Sequence, residues 1–364
     1  MNAIWGLDMK LFQLHVAILC LASASVAVAD VKRDGSGRPD LSGTYDTATL
    51  TPTQRPEMLG EVEYLYPWIA KTVNWGLGLA TELAQNYESD PDRGAPQEGG
   101  DGQNAAGAGG VGGYNFFWVD PGDELGFVNG KVPTSIVYEP ANGRYPETRE
   151  GYEARLGVYY QSFTHQNTGH ATWLAEAGPG PFDGPESLAP SERCLISFAS
   201  TVPTLPSLYN NYKRIIQTDT HIMILQEMVH HARVIRIDSE HTRDTNRSWL
   251  GDSVGYWEGD TLVVETKNFK KVSGLPGATD NLHVVERFTL QEDGEIYYDF
   301  TVNDPTVWTE PWSGRYMWRS KPADKVYEYA CHEGNYAMGN ILRGARLLES
   351  EWDGKVAESG ASGE

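Results

Sequence analysis

HIMILQEMVHHARVIRID, running from His221 to Asp238, is the stretch on which the fold turns. It is rich in Ile, Val and Met, holds no Gly or Pro, and follows the apolar run Lys213–Gln217 across a short Thr-Asp-Thr turn. Such a run, closely bounded by turn residues, predicts an extended central strand of a sheet. Side chains alternate along a strand, so Ile222, Ile224, Gln226, Met228, His230, Ala232 and Val234 share one face. The other face carries His221, Met223, Leu225, Glu227, Val229, His231 and Arg233. The even face is the more apolar and is expected to point at the core, which makes Gln226 and His230 buried polar groups in need of partners. On the odd face, Glu227, His231 and Arg233 are expected to form an outer ion-pair row.

C-terminal to this stretch almost everything alternates. WLGDSVGYWEGDTLVVETKNF, from Trp249 to Phe269, predicts two strands about a turn at Glu258-Gly259-Asp260. LHVVERFTLQEDGEIYYDFTVND, from Leu282, predicts two more about Glu292 to Glu295, and the chain from Ser313 to Tyr336 predicts another pair. Strands joined by tight turns predict a mainly β fold, an antiparallel meander that closes into a lipocalin-like barrel over residues 191–352. Residues 30–190 read as a loop-rich and helical region packed on that barrel. Within it the spacing predicts a short strand at Gly43–Thr49, a helix in Tyr64–Tyr87 and a short helix near Tyr152, with turns at Asn129-Gly130 and Asn142-Gly143. The glycine-rich run Pro91–Gly113 lacks the Lys-Ser/Thr ending of a phosphate loop and reads as a surface loop or lid. The tail over 353–364 reads as disordered.

The chain has 364 residues, and 50 acidic against 29 basic ones give a formal charge of −21. That charge disfavours nucleic acid and anionic lipid as partners and favours a neutral or cationic small molecule or glycan. Met9 and Lys10, the apolar run after them and Ala27-Val28-Ala29 have the layout of a signal peptide over residues 1–29, predicting export to the periplasm or beyond with no stable membrane anchor afterwards. Cys194 and Cys331 are the only cysteines beyond it. In an oxidising compartment they are either bridged or two buried thiols.

The Pro39–Tyr45 lead, GDSVGYWEGDTLVVETKNF, ERFTL, VNDPTVWTEPW and YEYACHEGNY, in that order, resemble a group of secreted bacterial β-rich proteins. The resemblance covers most of the chain after residue 29 and implies a shared fold. It lends no catalytic residues, and the weaker likeness to lipocalin barrels concerns shape alone.

Two constellations carry candidate chemistry. In the first, His230 would serve as a general base or acid beside Glu227, with Gln226 and Arg233 as binding groups; the competing reading is a core histidine bonded to a backbone carbonyl. In the second, Tyr327–Tyr336, the alternation of Tyr327, Tyr329 and Cys331 with Glu328, Ala330 and His332 predicts a strand, with His332 and Tyr329 as catalytic candidates and Asn335 and Tyr336 as binding ones. His230 and His332 are expected to face one cavity. Trp257 and Trp312, among 11 Trp, are candidates to line an aromatic pocket. No HExxH or Cys-x-x-Cys organises His221, His230, His231, His241, His283 and His332 into a ligand set, so no metal or other cofactor is assigned. Gly251-Asp252-Ser253-Val254-Gly255 spells a nucleophile elbow, but a strand pattern follows it where a helix is required. The function expected is cofactor-free acid–base chemistry by a lyase, hydratase or isomerase on a small hydrophobic, aromatic or glycan substrate. The alternatives are a non-catalytic carrier and a metal-dependent hydrolase or oxygenase with histidine ligands.

Overall fold

The computed structural model of the protein describes residues 31–85, 120–159, 169–272 and 274–354. The segment read as a signal peptide, the glycine run and all but the first two residues of the tail lie outside them.

The strands are β1 (Gly43–Asp46), β2 (Tyr64–Leu65), β3 (Val132–Pro133), β4 (Val137–Glu139), β5 (Tyr212–Gln217) and β6 (His221–Gln226). They continue as β7 (Ala232–Ile237), β8 (Asp252–Glu258), β9 (Thr261–Lys267), β10 (His283–Leu290), β11 (Ile296–Asn303) and β12 (Trp312–Ser320). The last eight pair in sequence order, and β1 slots between β5 and β12, closing a nine-stranded barrel. Tyr45 faces Lys213 on one side and Ser320 on the other. The chain before residue 191 therefore supplies one stave of the barrel, and β4 adds to the outside of β12. β2 and β3 form a separate two-stranded ribbon. A mainly β, closed barrel was legible; its antiparallel character holds at every stave contact but one. β7 and β8 run parallel, with Ile235 opposite Ser253, because residues 238–251 carry the chain back along the barrel before the next strand begins.

The deciding stretch is a hairpin, not one strand. β6 ends at Gln226, and Val229 and His230 take φ of 62° and 39°, reversing the chain into β7. Neither residue is the Gly or Asn that announces such a turn. The extra turn residues change the parity: Ile222, Ile224 and Gln226 point inward from β6, but Arg233, Ile235 and Ile237 do so from β7. Arg233 is thus buried instead of lying in an outer ion-pair row, and His230 is exposed instead of inside.

The barrel interior is filled. Phe288, Tyr298, Phe300, Tyr316 and Trp318 pack tilted or edge-to-face with ring centroids 5.0 to 5.8 Å apart, joined by Trp312. Among them, Arg233 forms a buried two-pronged pair with Glu286 and donates to Ser253 and Thr266 hydroxyls at 3.0 and 2.9 Å. Tyr298 donates to Glu286 at 2.7 Å and accepts the Thr204 N–H at 2.9 Å, while the Tyr316 hydroxyl donates to the Thr204 carbonyl at 3.0 Å. Ile196 and Val202 belong to the same buried cluster, so the segment between Cys194 and Leu205 plugs the barrel. A lipocalin cup keeps that space for ligand; here side chains and backbone occupy it. Ser253, bonded to Arg233 in mid-strand, is part of this core and not an elbow.

Among the described residues, three helices longer than a single turn lie outside the barrel: α1 (Pro67–Gln85), α2 (Tyr152–Tyr159) and α3 (Tyr336–Ser350). α1 runs through Gly76 and Gly78 without a break. After β12 the chain makes no further strand. Tyr327–Ala330 is irregular, Cys331–Gly334 is a single helical turn, and the Asn335 side chain caps α3 by accepting the Met338 N–H at 3.3 Å. The alternation in YEYACHEGNY imitates a strand, but the barrel is already closed by β1 pairing with β12, and this segment joins no sheet. Cys194 and Cys331 form a disulfide, Cα atoms 5.8 Å apart, which ties the last segment to the plug. Among the described residues no helix is long and apolar enough to cross a membrane.

Candidate functional site

At one end of the barrel, where β1 and β6 finish and β5 begins, a cavity of about 370 Å³ opens. Glu227, the first residue of the β6–β7 turn, forms part of its wall with Asp46 from the end of β1 and Tyr212 from the start of β5. Tyr209, Asn210, Asn211, Asp120 and Tyr329 complete the lining. The volume suits a small ligand, and the lining is hydroxyl, amide and carboxylate.

The turn that misled the strand reading is what builds the site. Met228 and Val229 turn inward against Cys194, Ala199, Tyr209 and Tyr329, which leaves Glu227 at the lip with 6% of its surface exposed. His230 Nδ1 lies 2.8 Å from the Tyr329 carbonyl and so fixes the backbone that presents the Tyr329 ring. Asn211 is itself anchored, donating to the carbonyls of Ser207 and Asp120 at 2.8 and 3.1 Å. Arg319 holds Asp46 at 2.8 Å, and Asp46 in turn accepts the Ala48 N–H at 2.8 Å.

Burial pushes the Glu227 carboxyl above the usual carboxylate range. Opposing that shift are the Asn210 side chain, the backbone N–H groups of Tyr212 and Tyr327, and the Lys213 ammonium. Lys213 points into the barrel, wholly buried, and burial draws its amine down to about 8 against the pull of Glu227 and Asp46. Its ammonium donates to the Ala199 carbonyl at 3.5 Å. Directly across the β5–β6 ladder, both side-chain amide atoms of fully buried Gln226 lack a partner. Burial and then Tyr209 push the Tyr329 hydroxyl up, so it is a proton donor across the ordinary pH range. A carboxyl poised upward and a protonated phenol on one cavity are a usable base and acid.

Of the residues singled out in the sequence, the structure brings Glu227 and Tyr329 together on this cavity, with Gln226 behind Glu227 in the barrel. The two histidines do not line it. His230 is the exposed hydrogen-bonding support of the Tyr329 backbone, and His332 is exposed on the helical turn after it, so the shared histidine cavity is not formed. Asn335 donates to the Glu192 carbonyl at 2.6 Å and caps α3, and Tyr336 is exposed. Arg233 and Trp312 are core, and Trp257 packs on the core at the opposite end of the barrel, beyond the end of β7. Lys213, Asp46, Asp120, Tyr209 and Asn211 escaped the sequence reading. Lys213 had one faint signal, a cation in alternation with Ile215, but the alternating set Arg214 and Ile216 is equally mixed.

Among the described residues no three His, Cys, Asp or Glu side chains are grouped to hold a metal ion. No protein-family model matches the chain, and no curated protein matches it.

Proposed function

We propose that the cavity at the β5–β6 end of the barrel is the active site of a cofactor-free acid–base enzyme, a lyase, hydratase or isomerase, acting on a small polar substrate. The observation that carries this reading is the presence of Glu227, lifted by burial, and protonated Tyr329 in the lining of one cavity. Glu227 as carboxylate removes a proton from carbon beside a carbonyl; Tyr329 donates to the oxygen that gains charge. Asp46 and Asp120 make the lining acidic, which favours a neutral or cationic substrate such as a sugar derivative over an anion. This narrows the expected range of hydrophobic, aromatic or glycan substrates to the polar, glycan-like end. A periplasmic or secreted setting is part of the proposal, supported by the Cys194–Cys331 disulfide and the leader-like residues before Asp30.

The non-catalytic carrier is separated by two conservative variants. Glu227→Gln and Tyr329→Phe keep the cavity's shape while removing the base and the acid. The enzyme reading expects each to lower turnover by about 10²-fold or more with substrate binding retained. Turnover undiminished in both variants would overturn the roles of Glu227 and Tyr329, and no turnover in the parent on any substrate that binds in the cavity would favour the carrier.

A further inference from the structure

A second cavity, of about 340 Å³, lies on the far side of the N-terminal region between α1 and the β2–β3 ribbon. Its walls are apolar: Leu65, Pro67, Ala70, Phe127 and Val132. Its charged groups are two lysines, Lys71 from the second turn of α1 and Lys131 from the turn that precedes β3. Among the described residues no acidic one lines it. Glu63, next to Tyr64 at the start of β2, is paired with Arg315. Lys131 sits over the Tyr64 ring, 4.8 Å from its centroid, which holds the ammonium at the mouth by a cation–π contact. Asn74 accepts the Leu125 N–H at 2.7 Å through its Oδ1, which turns its amide NH₂ into a donor for whatever enters. Phe127 keeps about half its surface in water, 49%, although it stands in an apolar wall.

On a chain with 21 more acidic than basic residues, a cavity with two cations and, among the described residues, no carboxylate has the opposite electrostatic character to the Glu227 cavity. Apolar walls need an apolar body, and two ammonium groups with an amide donor need a negative head that accepts hydrogen bonds. A ligand with both is a free monocarboxylic acid carried on a hydrocarbon body. We infer that this cavity between α1 and the β2–β3 ribbon binds such amphipathic carboxylates, with the head between Lys71 and Lys131 and the body on Phe127, Leu65 and Val132. The site is independent of the proposed acid–base site, and a sugar-like substrate of the first cavity would not fit its walls.

The test is calorimetric titration of the full chain with octanoate, with 1-octanol and butanoate as controls. Octanoate is expected to bind one to one with a dissociation constant on the order of 1 mM or tighter. Butanoate is expected to be weaker by roughly threefold per methylene removed, since each carries burial energy. Lys71→Gln combined with Lys131→Gln, both exposed and outside the core, should keep the parent's thermal midpoint. The pair should weaken octanoate by about tenfold and abolish most of its salt dependence. Glu227→Gln should leave octanoate binding unchanged, so failure here and failure of the acid–base reading are seen separately. Absence of saturable octanoate binding, octanol binding as tightly as octanoate, or an affinity unmoved by the double lysine variant would each overturn the inference.

Discussion

Lys213 and Glu227 are two ionisable groups whose properties are set by where the barrel puts them. Lys213 is buried with its amine drawn to about 8 from the ordinary 10.5. Between those values the unfolded chain binds a proton that the folded chain has released, so this group makes stability rise with pH over that window. Lys213→Met removes the linkage. The variant is expected to be more stable than the parent at pH 7 by a few kcal/mol, with the difference shrinking between pH 8 and pH 10; urea unfolding at a series of pH values measures it. A difference that stays constant or grows would show that Lys213 is not held at a depressed value. The same substitution removes a charge that favours ionised Glu227, so the acidic limb of the pH–rate profile should move to higher pH. In the core, Arg233 and Glu286 answer only to each other and to hydroxyls. Glu286→Gln strands the guanidinium and should cost about 3–5 kcal/mol in denaturant unfolding.

The β6–β7 hairpin shows how far local sequence carries and where it stops. Alternation placed Ile222, Ile224 and Gln226 inside, as they are. It then assigned His230 and Arg233 to the wrong sides, because two ordinary residues adopt left-handed backbone in the turn and shift the parity by one. Only tertiary packing of Met228 and Val229 on Cys194, Ala199 and Tyr329 selects that turn. Tyr329 lines the cavity although the strand expected for it does not form: its position comes from the disulfide and the His230 bond, not from a ladder. Replacing Cys194 and Cys331 by Ser should therefore cost about 2–5 kcal/mol in thermal or denaturant unfolding and weaken ligand binding in the Glu227 cavity together. Lost stability with unchanged binding would mean that Tyr329 is positioned by other contacts. In β12, Gly314 lies opposite Phe300, and an added Cβ would stand 2.3 Å from the ring. Gly314→Ala is expected to destabilise the barrel by about 1–3 kcal/mol, read as a lowered thermal midpoint.

At the scale of the whole molecule, the closed barrel was legible from alternating segments joined by turns, although β6 and β7 read as one strand and Tyr327–Tyr336 as a strand that does not form. The ninth stave, β1, is four residues long and far from its partners in sequence, so only closure of the sheet identifies it. The plug from Cys194 to Leu205 has no periodicity at all, yet it converts the barrel from a cup into a solid scaffold and moves the usable space to the rim. There the acidic charge of the chain and the burial of Glu227 act on the same cavity. Deuterium exchange tests that account most directly. The protein is incubated in D₂O with a panel of neutral and cationic hydroxyaldehydes, hydroxyketones and amino sugars, and label at carbon beside the carbonyl is read by mass spectrometry. The parent is expected to exchange at least one member above the buffer rate, with Glu227→Gln slower by about 10²-fold or more. Exchange that persists undiminished in Glu227→Gln, or none in the parent for any compound shown to occupy the cavity, would contradict the account.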